Sequence, residues 1–238
     1  MGRFEGKIAL VTGASRGIGR AVAKAIAAEG AHVILAARRA GSLEDVDDEI
    51  RAAGGTATLV KLDLTDGDKV DALGPTLYDR WGKLDVLIAN AGMLGPITPL
   101  PHISNDAWET AFATNVTANW RLIRTLDPLL RHADAGRAVF VTSGAANAHH
   151  AYWGTYAVTK AALNALAKTY ALEIANTTVR ANLISPGPIR TEMRQQAFPG
   201  EDPMTLPTPE DIAPLFLDVA SPECTDNGRI FDFKRPGT

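Results

Sequence analysis

The tightest constraint on this chain is the run Ile8-Ala9-Leu10-Val11-Thr12-Gly13-Ala14-Ser15-Arg16-Gly17-Ile18-Gly19. Its four leading apolar residues are unbroken and read as a parallel strand buried on both faces. The glycines follow at once. Beyond them Ile18, Val22, Ala25 and Ile26 recur at helical spacing until Gly30 stops the helix. Strand, glycine turn and helix in that order commit the chain to an α/β sheet and give the turn a chemical meaning. Glycines let a pyrophosphate approach the backbone, and a helix N-terminus offers it free N–H groups and the positive end of a dipole. Gly13, Ser15, Arg16, Gly17, Ile18 and Gly19 are therefore candidate ligands of a dinucleotide.

The same alternation continues along the chain. Further strands are expected over residues 33–35, 56–62, 86–89, 138–141, 179–184 and 229–233. Helices are expected over 42–51, 66–81, 103–132, 155–175 and 210–219. The pattern predicts a doubly wound parallel sheet of about seven strands with helices on both faces. The third helix should be interrupted near Gly74-Pro75, and Asn115 stands inside a helical pattern where Asn is unfavourable. From Arg190 to Pro209 periodicity weakens and four prolines occur, which predicts a mobile substrate cover over 190–209. No repeat or linker divides the 238 residues, so 1–238 reads as a single domain.

Composition narrows the function classes. The formal net charge is −3, which suggests neither a nucleic-acid nor a membrane-surface partner. No apolar run is long enough to span a bilayer, the first residues contain no apolar signal region, and Cys224 is the sole cysteine. A cytoplasmic location is the expectation. The adjacent pair His149-His150 has the wrong spacing for two metal ligands on one helix face, so no metal site is expected.

Strand ends carry the remaining candidates, because a doubly wound sheet binds its ligand beyond the carboxyl ends of its strands. An NAD site usually has an acid after its second strand, to bind the ribose hydroxyls. Here Ala36-Ala37-Arg38-Arg39 stands instead, and a guanidinium suits a 2′-phosphate. Asp63-Leu64, Asn90-Ala91-Gly92, Thr142-Ser143 and Ser185-Pro186-Gly187-Pro188 close four later strands. Tyr156 and Lys160 lie four apart in a helical run and so share a face. A phenol titrates near pH 10, and a cation held beside it should pull that value down toward neutrality. The pair reads as a tunable proton donor.

Taken together these residues resemble the short-chain dehydrogenase/reductases, from Lys7 to about Phe233. Thr12-Gly13-x-x-x-Gly17-x-Gly19 resembles their cofactor turn, and Asn90-Ala91-Gly92 their Asn-Asn-Ala-Gly motif with Ala89 in place of its first Asn. Asn115, Ser143, Tyr156 and Lys160 follow the order and spacing of their catalytic tetrad. Pro186, Gly187, Ile189 and Thr191 resemble the segment beside the nicotinamide amide. The C-terminal part is also similar to a bacterial subgroup of uncharacterised oxidoreductases. The resemblance implies a Rossmann sheet and hydride transfer between a nicotinamide and a carbonyl or alcohol carbon, on a small-molecule substrate. It implies Tyr156 as acid and base, Lys160 tuning it and holding the nicotinamide ribose, and Ser143 binding the substrate oxygen. Asn115 would hold a water next to Lys160, Arg16 and Arg38 the 2′-phosphate, and Asp63 the adenine edge. NADP(H) is the expected cofactor, with NAD(H) the alternative. A 3-oxoacyl-thioester reductase and a non-catalytic dinucleotide sensor stay open as rivals. A homodimer or homotetramer is implied; Phe231-Asp232-Phe233-Lys234 replaces the family's Val-Asp-Gly-Gly segment, which weakens the tetramer. Roles for His149, His150 and Trp153 are left undecided between loop, packing and pocket wall.

Overall fold

A computed structural model describes residues 2–148 and 150–234 of the chain. Seven strands form one parallel sheet in the order β3-β2-β1-β4-β5-β6-β7. They are β1 (Ile8–Thr12), β2 (His32–Ala37), β3 (Thr56–Lys61), β4 (Val86–Ala89), β5 (Arg137–Val141), β6 (Arg180–Ser185) and β7 (Ile230–Asp232). Strand order reverses between β1 and β4, so the ligand crevice of such a sheet lies beyond their carboxyl ends.

Helices cover both faces, which is why the strands read as unbroken apolar runs rather than as alternation. On one face lie α1 (Gly17–Ala28), α2 (Gly41–Ala52) and α8 (Pro209–Ala220). Val22 and Ile26, Leu43 and Ile50, and Ile212 and Phe216 pack there against Ala9, Val11, Val33 and Leu35. The other face carries α3 (Gly67–Trp81), α5 (Ala118–His132) and α6 (Gly154–Glu173). Leu73, Leu126 and Leu163 meet Leu10, Ile34, Leu87 and Phe140 there. Neighbours on β1 thus belong to different layers, as period-two geometry demands.

The structure departs from the sequence pattern in three places. First, α3 runs unbroken through Gly74-Pro75. Pro75 has no N–H for the Asp71 carbonyl one turn back. The Thr125 hydroxyl on α5 donates to that carbonyl at 2.8 Å, and accepts from the Gly74 N–H at 3.1 Å. A Cβ on Gly74 would lie 2.2 Å from the Thr125 carbonyl oxygen, so glycine is what lets the two helices approach. Second, the pattern over 103–132 is two helices, α4 (Asn105–Phe112) and α5, joined by a π-helical turn over Ala113–Thr117 that contains Asn115. Third, the segment 190–209 carries its own helix α7 (Glu192–Ala197), N-capped by Thr191, which accepts from the Arg194 N–H at 3.2 Å. The segment is fastened at its ends, where the Arg190 N–H donates to the Pro207 carbonyl at 2.9 Å.

Candidate active site

The predicted residues gather at the carboxyl edge of the sheet, delivered by six strand ends, by the π turn between α4 and α5, and by α6. Thr12, at the end of β1, ties two of these ends together. Its hydroxyl accepts from the Asn90 and Ala91 N–H groups at 3.0 and 3.1 Å. The Asn90 amide donates to the Thr12 carbonyl at 2.9 Å. Asn90, a cofactor candidate by sequence, therefore braces the glycine turn with its side chain. A Cβ on Gly19 would lie 2.2 Å from the Gly13 carbonyl oxygen, and Gly13 and Gly17 have φ of 65° and 54°. Each feature requires glycine.

The turn fits a pyrophosphate. Arg16 N-caps α1 without a side-chain hydrogen bond, and the first turn of α1 holds no acid. Its leading N–H groups therefore keep their positive potential. Gly17 faces Thr191, whose methyl would meet a Cβ there at 3.4 Å, so the turn and the start of α7 face each other. At the edge of the turn the Arg16 guanidinium forms an ion pair with Glu192 on α7. After β2, Arg38 is exposed, and Asp63 follows β3. The Asp63 carboxylate accepts from the Thr65 N–H at 2.9 Å and from its hydroxyl at 2.8 Å. Those bonds, with the Arg38 charge as a smaller contribution, hold Asp63 below the usual carboxylate range.

Four further candidates converge beside this cleft. Asn115 is wholly buried; its side-chain oxygen accepts from the Met93 N–H at 2.8 Å, and its amide donates to the Met93 carbonyl at 2.9 Å and the Thr159 hydroxyl at 3.0 Å. The π turn aims that side chain at the segment after β4 rather than along the helix. Lys160, 3% exposed, donates to the Val141 carbonyl at 2.8 Å. Its nitrogen lies 5.7 Å from the centre of the Tyr156 ring. A Cβ on Gly92 would sit 3.3 Å from the Asn115 oxygen and 3.4 Å from the Lys160 nitrogen, so the turn after β4 closes on both. Ser143, after β5, stands beside the Tyr156 phenol, where its hydroxyl favours the phenolate.

Electrostatically the pair differs from expectation. Burial pushes the Tyr156 phenol above its ordinary value, and the neighbouring Ser143 hydroxyl only partly offsets this. Burial also pushes Lys160 down, to about 8. A depression of the phenol by Lys160 is not what these side chains produce among themselves: each group is biased toward its neutral form.

Ile189 is buried in the core, and Gly187 takes φ of 68° with open space around it. Leu64 is also buried, and Ser15, Ile18 and Pro186 are half-buried at the crevice. His149 lies outside the described residues. Sequence reasoning placed Thr12 in the glycine motif but gave no site role to Thr159, Glu192 or Phe198. The signal for Glu192 was available, because an acid in the first turn after an N-cap Thr is drawn toward the dipole there. Among the described residues no group of His, Cys, Asp and Glu is placed to hold a metal, and no helix is long and apolar enough to cross a membrane.

Comparison with known proteins gives consistent relatives. The family model described as short chain dehydrogenase matches residues 7–202. An uncharacterised oxidoreductase, YciK of Escherichia coli K12, is 37% identical over 214 residues, 89% of this chain and 84% of that relative. The crystal structure of a short chain dehydrogenase from Salmonella enterica serovar Typhi CT18 aligns with a TM-score of 0.93 at 36% identity, over 97% of this chain and 96% of that one. A chain from Escherichia coli CFT073, solved as a complex with NADPH, aligns with a TM-score of 0.91 at 36% identity, over 96% and 97%.

Proposed function

This chain belongs to the short chain dehydrogenase family of oxidoreductases, and we propose that it moves hydride between NADP(H) and the carbon of a small carbonyl compound or secondary alcohol. The observation that carries the reading is the joining of Ser143, Tyr156 and Lys160 in one cluster next to a glycine turn that fits a pyrophosphate. A bound nicotinamide supplies or accepts the hydride.

The chain's own residues handle binding and the proton. Gly13, Ser15, Gly17, Ile18 and Gly19 offer backbone to the pyrophosphate, and Arg16 and Arg38 offer guanidinium groups to the 2′-phosphate. Asp63, Asn90, Ala91, Gly92, Pro186, Gly187, Ile189 and Thr191 line or brace the rest of the cleft. In carbonyl reduction the Tyr156 O–H bond breaks and its proton passes to the carbonyl oxygen, as a C–H bond forms at the carbonyl carbon. In the reverse direction the phenolate takes the proton of the alcohol. Ser143 donates to the same oxygen, where negative charge develops. Lys160 carries a charge beside the phenolate and holds the nicotinamide ribose. Asn115 keeps the turn after β4 in register with Lys160. The cofactor preference is supported by the relative solved with NADPH and by Ala37-Arg38 at the end of β2.

Replacement of Tyr156 by Phe tests the reading. General acid–base catalysis contributes roughly 100- to 10,000-fold, so kcat should fall by at least the lower figure. Binding of NADPH, followed by fluorescence, should stay near normal. Retention of more than half of kcat would remove Tyr156 from the mechanism.

A further inference from the structure

We infer that the mouth of this site selects an uncharged carbonyl compound bearing a flat or bulky apolar group, held on a wall formed by Trp153 and Phe198. The inference rests on Tyr156 as the proton donor. The Trp153 ring meets the Tyr156 ring edge-on, 6.1 Å between centres at 66°. Its other neighbour is Phe198 in the segment after α7, at 5.6 Å and 39°. The Arg194 guanidinium caps the Phe198 ring at 3.7 Å, and Arg194 is itself held by both oxygens of Glu201 at 2.6 and 2.7 Å. A continuous stack therefore joins the cover segment to the reacting phenol. Aromatic rings arranged edge-to-face and tilted present an apolar surface of fixed shape.

The backbone holds this wall in place. Tyr152, immediately before Trp153, has φ of 73°, a left-handed conformation that a bulky residue rarely adopts. Its carbonyl accepts from the Thr98 N–H at 3.1 Å, which fixes the segment after β4 to the start of α6. Leu100 packs onto the same start, since a Cβ on Gly154 would lie 2.2 Å from its methyl carbon. Three segments thus meet at the N-terminus of α6: 93–103, 150–153 and 190–206.

The charge pattern names the substrate class. In the segment 190–206 each acid is engaged within the protein, whereas Arg190 donates to backbone carbonyls and its buried Nε has no partner. Arg190 donates to the Leu206 carbonyl at 3.1 Å, Glu192 pairs with Arg16, Arg194 pairs with Glu201, and Asp202 caps the turn at Met204 at 2.9 Å. His102 and His150 are the remaining basic side chains described in the three segments. Ile97, Leu100, Tyr152, Phe198 and Met204 are exposed large apolar side chains there, beside the exposed polar Glu192, Gln195, Gln196, Asp202, His102 and His150. Such a mouth gains free energy by taking apolar surface out of water, and its one cation without an acid, Arg190, is held on the Met204 and Leu206 carbonyls with its Nε buried rather than turned out to a carboxylate or phosphate. A thioester carried on a phosphate-bearing arm is accordingly disfavoured against a free neutral ketone.

Three matched α-keto compounds separate the features: ethyl benzoylformate, its free acid benzoylformate, and ethyl pyruvate, which replaces phenyl by methyl. Acetoacetyl-coenzyme A serves as the phosphate-bearing thioester. With NADPH, kcat/KM for ethyl benzoylformate should exceed that for benzoylformate, ethyl pyruvate and the thioester by about tenfold or more, the scale on which an apolar pocket discriminates. Phe198→Ala and Trp153→Ala should each collapse the phenyl-to-methyl ratio, mainly through KM, while Trp153→Phe keeps most of it. Titration with NADPH verifies that each variant is folded. A preference for benzoylformate or the thioester, or a ratio unmoved by both alanine variants, overturns the inference. Reduction of ethyl pyruvate by wild type but not by Tyr156→Phe would at the same time leave the proposed chemistry standing. If no compound turns over while NADPH binds, the proposed chemistry fails, and binding still decides the wall. The fluorescence quenched by ethyl benzoylformate in wild type, less that in Trp153→Phe, must then exceed the benzoylformate value; equal values overturn the wall too.

Discussion

Replacing Glu192 by Gln should tighten NADPH binding and leave NADH binding nearly alone. The guanidinium of Arg16 is claimed by two anions: Glu192, with which it is paired, and the 2′-phosphate that the glycine turn and Arg38 would receive. Both side chains of the pair are more than half exposed, at 64% and 60%. Exposed pairs of this kind contribute roughly 0.2 to 1 kcal/mol. Releasing Arg16 should therefore raise NADPH affinity about 1.4- to 5-fold, since about 1.4 kcal/mol corresponds to tenfold. Gln keeps the size of the side chain and its place in the first turn of α7, so the cover is disturbed little. Pyrophosphate is common to both cofactors, and the NADH-to-NADPH ratio of dissociation constants cancels any effect on it. That ratio, from fluorescence titration at low and high salt, is the assay. In wild type it should favour NADPH by about tenfold to a hundredfold, from charge-assisted bonds of roughly 1.5 to 3 kcal/mol each, reduced by exposure. In Glu192→Gln it should rise further, and the gain should shrink at about 1 M salt, where the Debye length falls to about 3 Å. The double variant Ala37→Asp, Arg38→Ser should invert it. An unchanged or lower ratio in Glu192→Gln would show that Arg16 does not reach the 2′-phosphate at all.

Three further outcomes follow from other parts of the molecule. Thr125→Val strands the Asp71 carbonyl and the Gly74 N–H between α3 and α5 and should cost about 1–3 kcal/mol in urea unfolding, while Thr125→Ser should cost much less; equal losses would remove the hydroxyl from the account. Lys160 is held at about 8 in the folded chain against an ordinary 10.5, so between those values the unfolded chain binds the extra proton and stability rises with pH. Up to pH 10 that rise should be on the order of 2 kcal/mol and absent from Lys160→Met, whereas Tyr156, shifted upward, makes stability fall above pH 10; parallel profiles for the two proteins would refute the assignment. The exposed Trp120, Val158 and Leu172 on α5 and α6 offer a surface for self-association, and sedimentation should show a species heavier than the 25.3 kDa chain at micromolar concentration; a lone monomer there excludes a dimer through these helices.

The sheet was legible because its strands are covered on both faces and therefore spell out short apolar runs between glycine turns. What escaped was non-local. Gly74-Pro75 carries every local mark of a helix break, yet the partner that repairs it, Thr125, lies about fifty residues away on another helix. Nothing within one turn of Pro75 records that repair. Asn115 was visible as a misfit in a helical pattern, but a π turn needs knowledge of where the Met93 backbone lies. Over 190–209, low periodicity and prolines predict a mobile cover and give no sign of a helix. A six-residue helix is too short to show a period and is specified instead by its cap, Thr191.

The site illustrates the same division between residue type and environment. Spacing alone puts Tyr156 and Lys160 on one face of α6, and chain order alone brings Ser143 and Asn115 into their company. The protonation state of the pair is a property of burial, which no spacing encodes. Spacing suggests a phenol pulled down by a neighbouring ammonium; the folded chain pushes the phenol up and the ammonium down. At pH 7 a lysine titrating near 8 is still about ten parts protonated to one neutral. Tyr156 then carries its proton and stands beside a cation. On the proposed mechanism that is the form competent to protonate a carbonyl oxygen, so reduction needs no prior titration at neutral pH. Alcohol oxidation begins from the phenolate, which burial opposes. Its rate should therefore climb with pH over a range where reduction does not.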